Sequence, residues 1–252
     1  MNSAKKHFMP IVLASLFVIF NLSPAFAQDP TNMAEAMKAS GFDFETARWI
    51  SKTTQEDGNG KIQKSTQKFW ISGNQVRMEI QDEATGETQI IIDDGTHQYL
   101  YDPAKKTAMV MNAMMKNMSS GLLSSDSFKQ AAENRKAAKT VGTETINGKA
   151  CTIKEYASTL ANITSNVREW VWNEKQFPMK SIVTIPGQTT TMMGQSIKMP
   201  GSKTESVVTE VTLNQSIDGS LFKLPAGVKT ETMGNPFDPS ETGNDEESQD
   251  EK

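Results

Sequence analysis

Between residues 44 and 111 short strand-like runs alternate with turn residues, and that spacing governs what the chain can fold into. The runs are FETARWISKT (44–53), KIQKSTQKFWI (61–71), QVRMEIQ (75–81), TQIIIDD (88–94), THQYLYD (96–102) and KTAMVM (106–111). Between them lie DGNG (57–60), SGNQ (72–75), EATGE (83–87), Asp94-Gly95 and DPAK (102–105). These supply the positive φ or proline-set φ that hairpin turns require. Parallel neighbours need long crossovers, so gaps this short dictate an antiparallel meander.

The pattern resumes downstream. KTVGTETI (139–146) meets KACTIKEYA (149–157) through Asn147-Gly148, and NVREWVWNE (166–174), PMKSIVTI (178–185) and ESVVTEVTLN (205–214) follow. Val76, Met78 and Ile80 alternate with Arg77, Glu79 and Gln81, as they would on a sheet with one apolar and one wet face. About ten or eleven such strands in one sheet would curl strongly or close into a barrel.

Three places read as helix. PTNMAEAMKAS (30–40) is short and amphipathic. SIDGSLFKLPAGV (216–228) reads as a terminal turn that tucks Leu221, Phe222 and Leu224 against the sheet. The third holds Met111, Met114, Met115, Met118 and Leu122 at i, i+3, i+4, i+7 and i+11, a helical stripe. Gly121 interrupts it, and Ser127 with Gln130 offers a capping box for a second helix running through AAENRKAA. The stripe reads equally as a packed plug and as an adaptable lid. Met is the flexible apolar side chain that fits varied shapes, whereas a rigid core favours Leu and Ile. A second Met-rich stretch, PGQTTTMMGQSIKMPG (186–201), reads as irregular.

The two ends look different from the body. Lys5 and Lys6, the apolar run 11–20 and the small residues before Gln28 read as a cleaved export signal at 1–27. The apolar run falls well short of the ~20 residues a spanning helix needs. Residues 235–252 read as a disordered acidic tail. Setting aside the signal, with two lysines, and the tail, with one lysine and seven acids, leaves 23 basic and 23 acidic residues in the body at 28–234. A neutral body offers no basic patch for a nucleic-acid partner. It fits one domain with one sizeable core. Cys151 is the only cysteine, so no internal disulfide forms, and it reads as a small buried apolar residue.

Motifs for chemistry are few. The body carries one histidine, His97, beside a turn. There is no His/Cys/Asp/Glu spacing for a metal, no GxSxG, no P-loop and no GxGxxG. Asp93-Asp94 reads as turn chemistry. The expectation is therefore no enzyme, no catalytic residue, no cofactor and no metal. The aromatics say more. Trp49, Trp70, Tyr99, Tyr101, Trp170 and Trp172 all fall on expected strands. They read either as core filling or as the wall of a cavity, since wide barrels leave room for a ligand.

Three phrases carry a family resemblance. DDGTHQYLYDPAKKTAMVM (93–111) is similar to a "DG…YLYDP" hairpin, VREWVWNEKQFPMKSIV (167–183) to a strand-turn-strand with "W…PVK", and SLFKLPAGVK (220–229) to a closing "FxLPxGV" segment. With the order of elements they make the body resemble the periplasmic lipoprotein-carrier superfamily, with its LolA/LolB-like fold. The resemblance implies a mainly β domain, a large curved antiparallel sheet forming a half-open barrel covered by short helices. It implies a periplasmic protein that carries or binds a lipid, a lipoprotein or another apolar ligand, with Met111, Met114, Met115, Met118 and Leu122 as the lid. The carriers lock their lid with an arginine, for which Arg48 is the nearest counterpart. An interaction module with an envelope protein partner and no lipid cargo is the other reading of the same fold.

Overall fold

The turn residues reverse the chain where the sequence places them. The computed structural model describes residues 44–110, 133–160, 163–192 and 195–232. Asn147 and Gly148 take φ of 47° and 75°, the pair of positive values that matches a two-residue turn to the twist of its strands. Gly95, at φ 90°, holds a backbone conformation that side chains rarely adopt, and a Cβ there would lie 2.5 Å from the Asn74 amide nitrogen and displace that side chain.

The strands are β1 (Thr46–Asp57), β2 (Ile62–Ser72), β3 (Gln75–Asp82), β4 (Thr88–Asp93), β5 (Gln98–Asp102), β6 (Thr107–Val110), β7 (Lys139–Ile146), β8 (Lys149–Leu160), β9 (Ile163–Trp172), β10 (Phe177–Ile185), β11 (Gln188–Met192), β12 (Gln195–Met199), β13 (Ser202–Leu213) and β14 (Lys229–Thr232). Twelve of them form one sheet in the order β14-β6-β5-β4-β3-β2-β1-β13-β10-β9-β8-β7. It is a curved sheet that does not close into a barrel. Neighbours are antiparallel except β14, which runs parallel to β6. The meander and the half-open, mainly β architecture are as the sequence implies; the return of β14 to the far edge is an addition.

Residues 186–201 are not irregular. β11 and β12 pair antiparallel there as a separate two-stranded hairpin, from Gln188 opposite Met199 to Met192 opposite Gln195. At its base the β1–β2 turn comes close: a Cβ on Gly58 would sit 2.7 Å from the Pro200 Cβ and 2.8 Å from the Gly201 oxygen. Residues 133–136 are helical, inside the segment expected to be helix from Ser127. The helix expected at 30–40, the methionine stripe at 111–122, the signal at 1–27 and the tail at 235–252 lie outside the described residues.

Two bodies of apolar side chains hold the sheet. The larger includes Phe44, Trp49, Phe69, Ile71, Val76, Met78, Ile91, Phe177, Met179 and Val208. The smaller lies on the other side of β4–β6 and joins Ile90, Ile92, Tyr101 and Ala108 to Leu224 and Val228. The three consecutive isoleucines of β4 are thus buried on both faces, which alternation alone would not allow at a wet sheet surface. The cover on that second side comes from the 3-10 turn Gly219–Phe222 and the chain after it. Asp218 caps the turn by accepting from the Ser220 N–H at 2.9 Å, and Phe222 is fully buried.

Candidate functional site: one sheet face in two parts

Trp49, Ser51 and Thr53 share a face of β1, because alternate residues of a strand point the same way. Around Trp49 that face is apolar. Its ring stacks on Phe69 with centroids 4.4 Å apart and meets Phe177 edge-on at 5.5 Å. Phe69 registers opposite Met78, and Met78 opposite Ile91, so the apolar part extends across β2, β3 and β4.

One step along β1 the same face turns polar. Ser65, Thr53, Ser206, Ser181 and Glu169 are successive cross-strand partners on β2, β1, β13, β10 and β9. They form one row of four strand-to-strand steps, roughly 19 Å at the ~4.8 Å strand spacing. Ser51 and Gln67, opposite one another, lie between this row and the apolar part. All seven residues are buried. Some satisfy one another: Thr53 donates to Ser206 Oγ at 3.3 Å, and Gln67 Nε2 to Ser65 Oγ at 3.4 Å. Others do not. The Trp49 indole nitrogen, the Ser51 hydroxyl and Glu169 Oε1 are buried without a hydrogen-bond partner. Buried polar atoms are nearly always paired, so each calls for a partner that the described residues do not supply.

Glu169 ends the row. Its side chain is wholly buried, and Arg135, from the helical turn 133–136, donates to its Oε2 at 2.9 Å. Tyr156 of β8 joins them. Burial, then the Glu169 charge and a hydrogen bond to that carboxylate, push its phenol well above the ordinary value, against the opposing pull of Arg135. The helical turn 133–136 is thereby tied to the sheet by a buried ion pair. Arg48, the counterpart suggested by resemblance, is exposed and sits on the opposite face of β1 from Trp49.

The registers divide the six aromatics between two faces. Trp49 belongs to the face with the polar row, and Trp170 and Trp172 pack with it in one apolar cluster beyond the β10 bulge. Trp70 registers opposite Arg77, Arg77 opposite Ile92 and Ile92 opposite Tyr99, so Trp70 and Tyr99 lie on the other side, and so does Tyr101, opposite Ile90. Trp170 and Trp172 share a face of β9, as their spacing requires, but Trp170 adjoins Glu169 and points away from it. The Trp170 indole donates to Glu144 at 2.5 Å, and the Lys180 ammonium sits 4.9 Å from its ring centroid. Lys149 lies 4.5 Å over Trp172. A bulge in β10 between Pro178 and Lys180 lets Phe177, registered opposite Trp172, reach Trp49 as well. Packing therefore runs continuously from Trp49 to Trp170 although their faces differ.

His97 lies at the surface, its Nδ1 3.9 Å from Asp94 Oδ2. The aspartates beside it are engaged by the turn. Asp93 accepts from the Gly95 N–H, and Asp94 from the N–H groups of Thr96 and His97. Cys151 is buried, and burial raises its thiol above the ordinary value, which keeps it a poor nucleophile. Among the described residues no three His, Cys, Asp or Glu side chains converge as a metal site would need.

The polar row arises only from the register of five strands. Its signal is present in β2, where KSTQKFWI (64–71) places Ser65 and Gln67 on the alternation parity of Phe69 and Ile71, a polar interruption of a buried stripe. Arg135 carries no such signal, because it lies in a helical turn 34 residues from Glu169 and meets it only through the tertiary fold.

No family model and no curated protein matches the chain. Solved structures do. A DUF1329-family protein from Desulfovibrio piger is 14% identical over 78% of this chain and 98% of its own, with a TM-score of 0.36. A LolA-superfamily protein from Nitrosomonas europaea is 12% identical over 75% of this chain and 96% of its own, with a TM-score of 0.35. MucB in the Pseudomonas aeruginosa MucA/MucB complex is 12% identical over 76% of this chain and 60% of its own, with a TM-score of 0.43. At such identities the similarity is one of fold, and the LolA/LolB-like fold named from the sequence is among those the chain resembles.

Proposed function

We propose that this chain is a periplasmic binding or carrier protein that holds an apolar ligand, a lipid or a lipidated protein, against the Trp49 face of its open sheet. One observation carries the reading. The face joins a continuous aromatic and aliphatic surface to buried polar atoms that lack partners, whereas a face meant only as core would be filled with branched aliphatics and leave none. Binding would be driven by apolar burial at roughly 25 cal/mol per Å², less the cost of ordering the ligand. The methionine stripe at 111–122 is the proposed lid, its side chains fitting varied acyl shapes. The proposal gives the protein no catalytic chemistry.

A dansyl-labelled fatty acid titrated into the purified body tests this. The expected result is saturable binding with a blue-shifted emission. Met114→Asp with Met115→Asp should weaken it at least tenfold, since a charge in an apolar contact loses its water. A folded protein that leaves the probe unbound, yet captures an envelope protein regardless of lipid, would replace this reading with the interaction module.

A further inference from the structure

We infer that the polar row is a headgroup site, and that the ligand is an amphiphile with an uncharged hydroxyl- or amide-bearing head. This rests on the binding function proposed above and specifies its ligand. Three observations carry it. First, the row and the apolar part adjoin on one face: Trp49 and Ser51 are two residues apart on β1, and Gln67 of the row side registers opposite Ile80 of the apolar side. A chain laid over Trp49, Phe69 and Met78 brings its head over Ser51, Thr53 and Ser206.

Second, the row is uncharged along its length. From Ser65 to Ser181 it offers hydroxyls and, beside them, the Gln67 amide. Charge appears only at its two ends: Asp82 of β3 registers opposite Ser65, and at the β9 end Glu169 is already paired with Arg135 and registers opposite Lys154. A phosphate head over the row would be stripped of water with no cation beneath it, which is strongly unfavourable. A neutral head exchanges hydrogen bonds with water for hydrogen bonds with serine, threonine and glutamine. Third, the Trp49 indole and the Ser51 hydroxyl are buried and unpartnered. One needs an acceptor and the other takes either role, and a ligand hydroxyl or amide serves both. The atoms are buried, so a head reaches them by displacing what packs over them.

The test compares monooleoylglycerol, oleate and oleoyl lysophosphatidic acid, three ligands with one chain, by displacement of the dansyl probe from the wild-type protein and from Ser51→Ala. The hydroxyl removed makes no hydrogen bond, so the variant should melt no lower than the wild type. Wild type should prefer monooleoylglycerol to lysophosphatidic acid by about tenfold. Ser51→Ala should weaken monooleoylglycerol roughly five- to tenfold, the value of one hydrogen bond, and leave oleate unchanged. Ser206→Ala, elsewhere on the row, should act in the same direction. Equal binding of all three ligands, or a Ser51→Ala protein that binds monooleoylglycerol like the wild type, would overturn the headgroup site while leaving the carrier reading in place. Failure of all three to displace the probe, or of the probe to bind at all, would overturn both.

Discussion

Glu169 is the residue with the most at stake. Its carboxylate is fully buried and Arg135 is nearly so. Breaking a buried pair by removing one partner typically costs about 3–5 kcal/mol, because the other charge is left without compensation. Glu169→Gln is therefore expected to lower unfolding stability in urea by an amount of that order, and Arg135→Met to do the same. The double variant should recover part of the loss, since neither charge then remains. Tyr156 reports on the same cluster. Its raised phenol pKa means the fold favours the neutral form, so the contribution to stability is present below the ordinary tyrosine pKa and is lost as pH rises through the folded value. Alkaline titration followed by tyrosinate absorbance should show Tyr156 ionising last, after Tyr99, which burial and Asp94 also raise. Glu169→Gln should bring that transition to lower pH by removing the neighbouring charge.

At the scale of elements, the 3-10 turn Gly219–Phe222 does more than its four residues suggest. It closes the second face of β4–β6, and Arg77 on β3 donates to the Leu221 carbonyl at 3.1 Å to hold it there. Phe222→Ala should cost about 3–5 kcal/mol and expose Ile90 and Ile92 to hydrogen exchange before the central strands. This closing turn was readable because SIDGSLFKLPAGV (216–228) brings three large apolar residues, Leu221, Phe222 and Leu224, together in a short segment after the last long strand. The hairpins were readable for the same kind of reason: each carries its turn chemistry within a few residues. β11 and β12 were not, since a short Thr- and Ser-rich hairpin with no partner in the large sheet has little hydrophobic alternation to show. β14 was not, since KTET (229–232) finds its partner β6 more than a hundred residues earlier. The faces of the aromatics were hidden by register. Alternation places Trp70 opposite in direction to Phe69, but only pairing shows that Phe69, not Trp70, sits with Trp49. The bulges between Ile50 and Ser51, and between Pro178 and Lys180, then change the parity again.

For the whole molecule, the open sheet matters more than any single side chain. Among the described residues the twelve strands end at β7 and β14 without meeting, so the sheet stays open while the side chains of its Trp49 face are buried. The order of strands made that architecture legible from the sequence, but the site on it was legible only in its apolar half. Aromatic residues announce themselves, whereas a row of serines acquires meaning only when five strands line it up. The central claim is that this face holds a guest with an acyl chain. Native mass spectrometry of the full chain, purified from its own host without detergent, tests that most directly. The account predicts a population heavier than the polypeptide by the mass of one lipid or lipid-like molecule, shed on collisional activation. A single species at the mass of the bare chain, preparation after preparation, would contradict it.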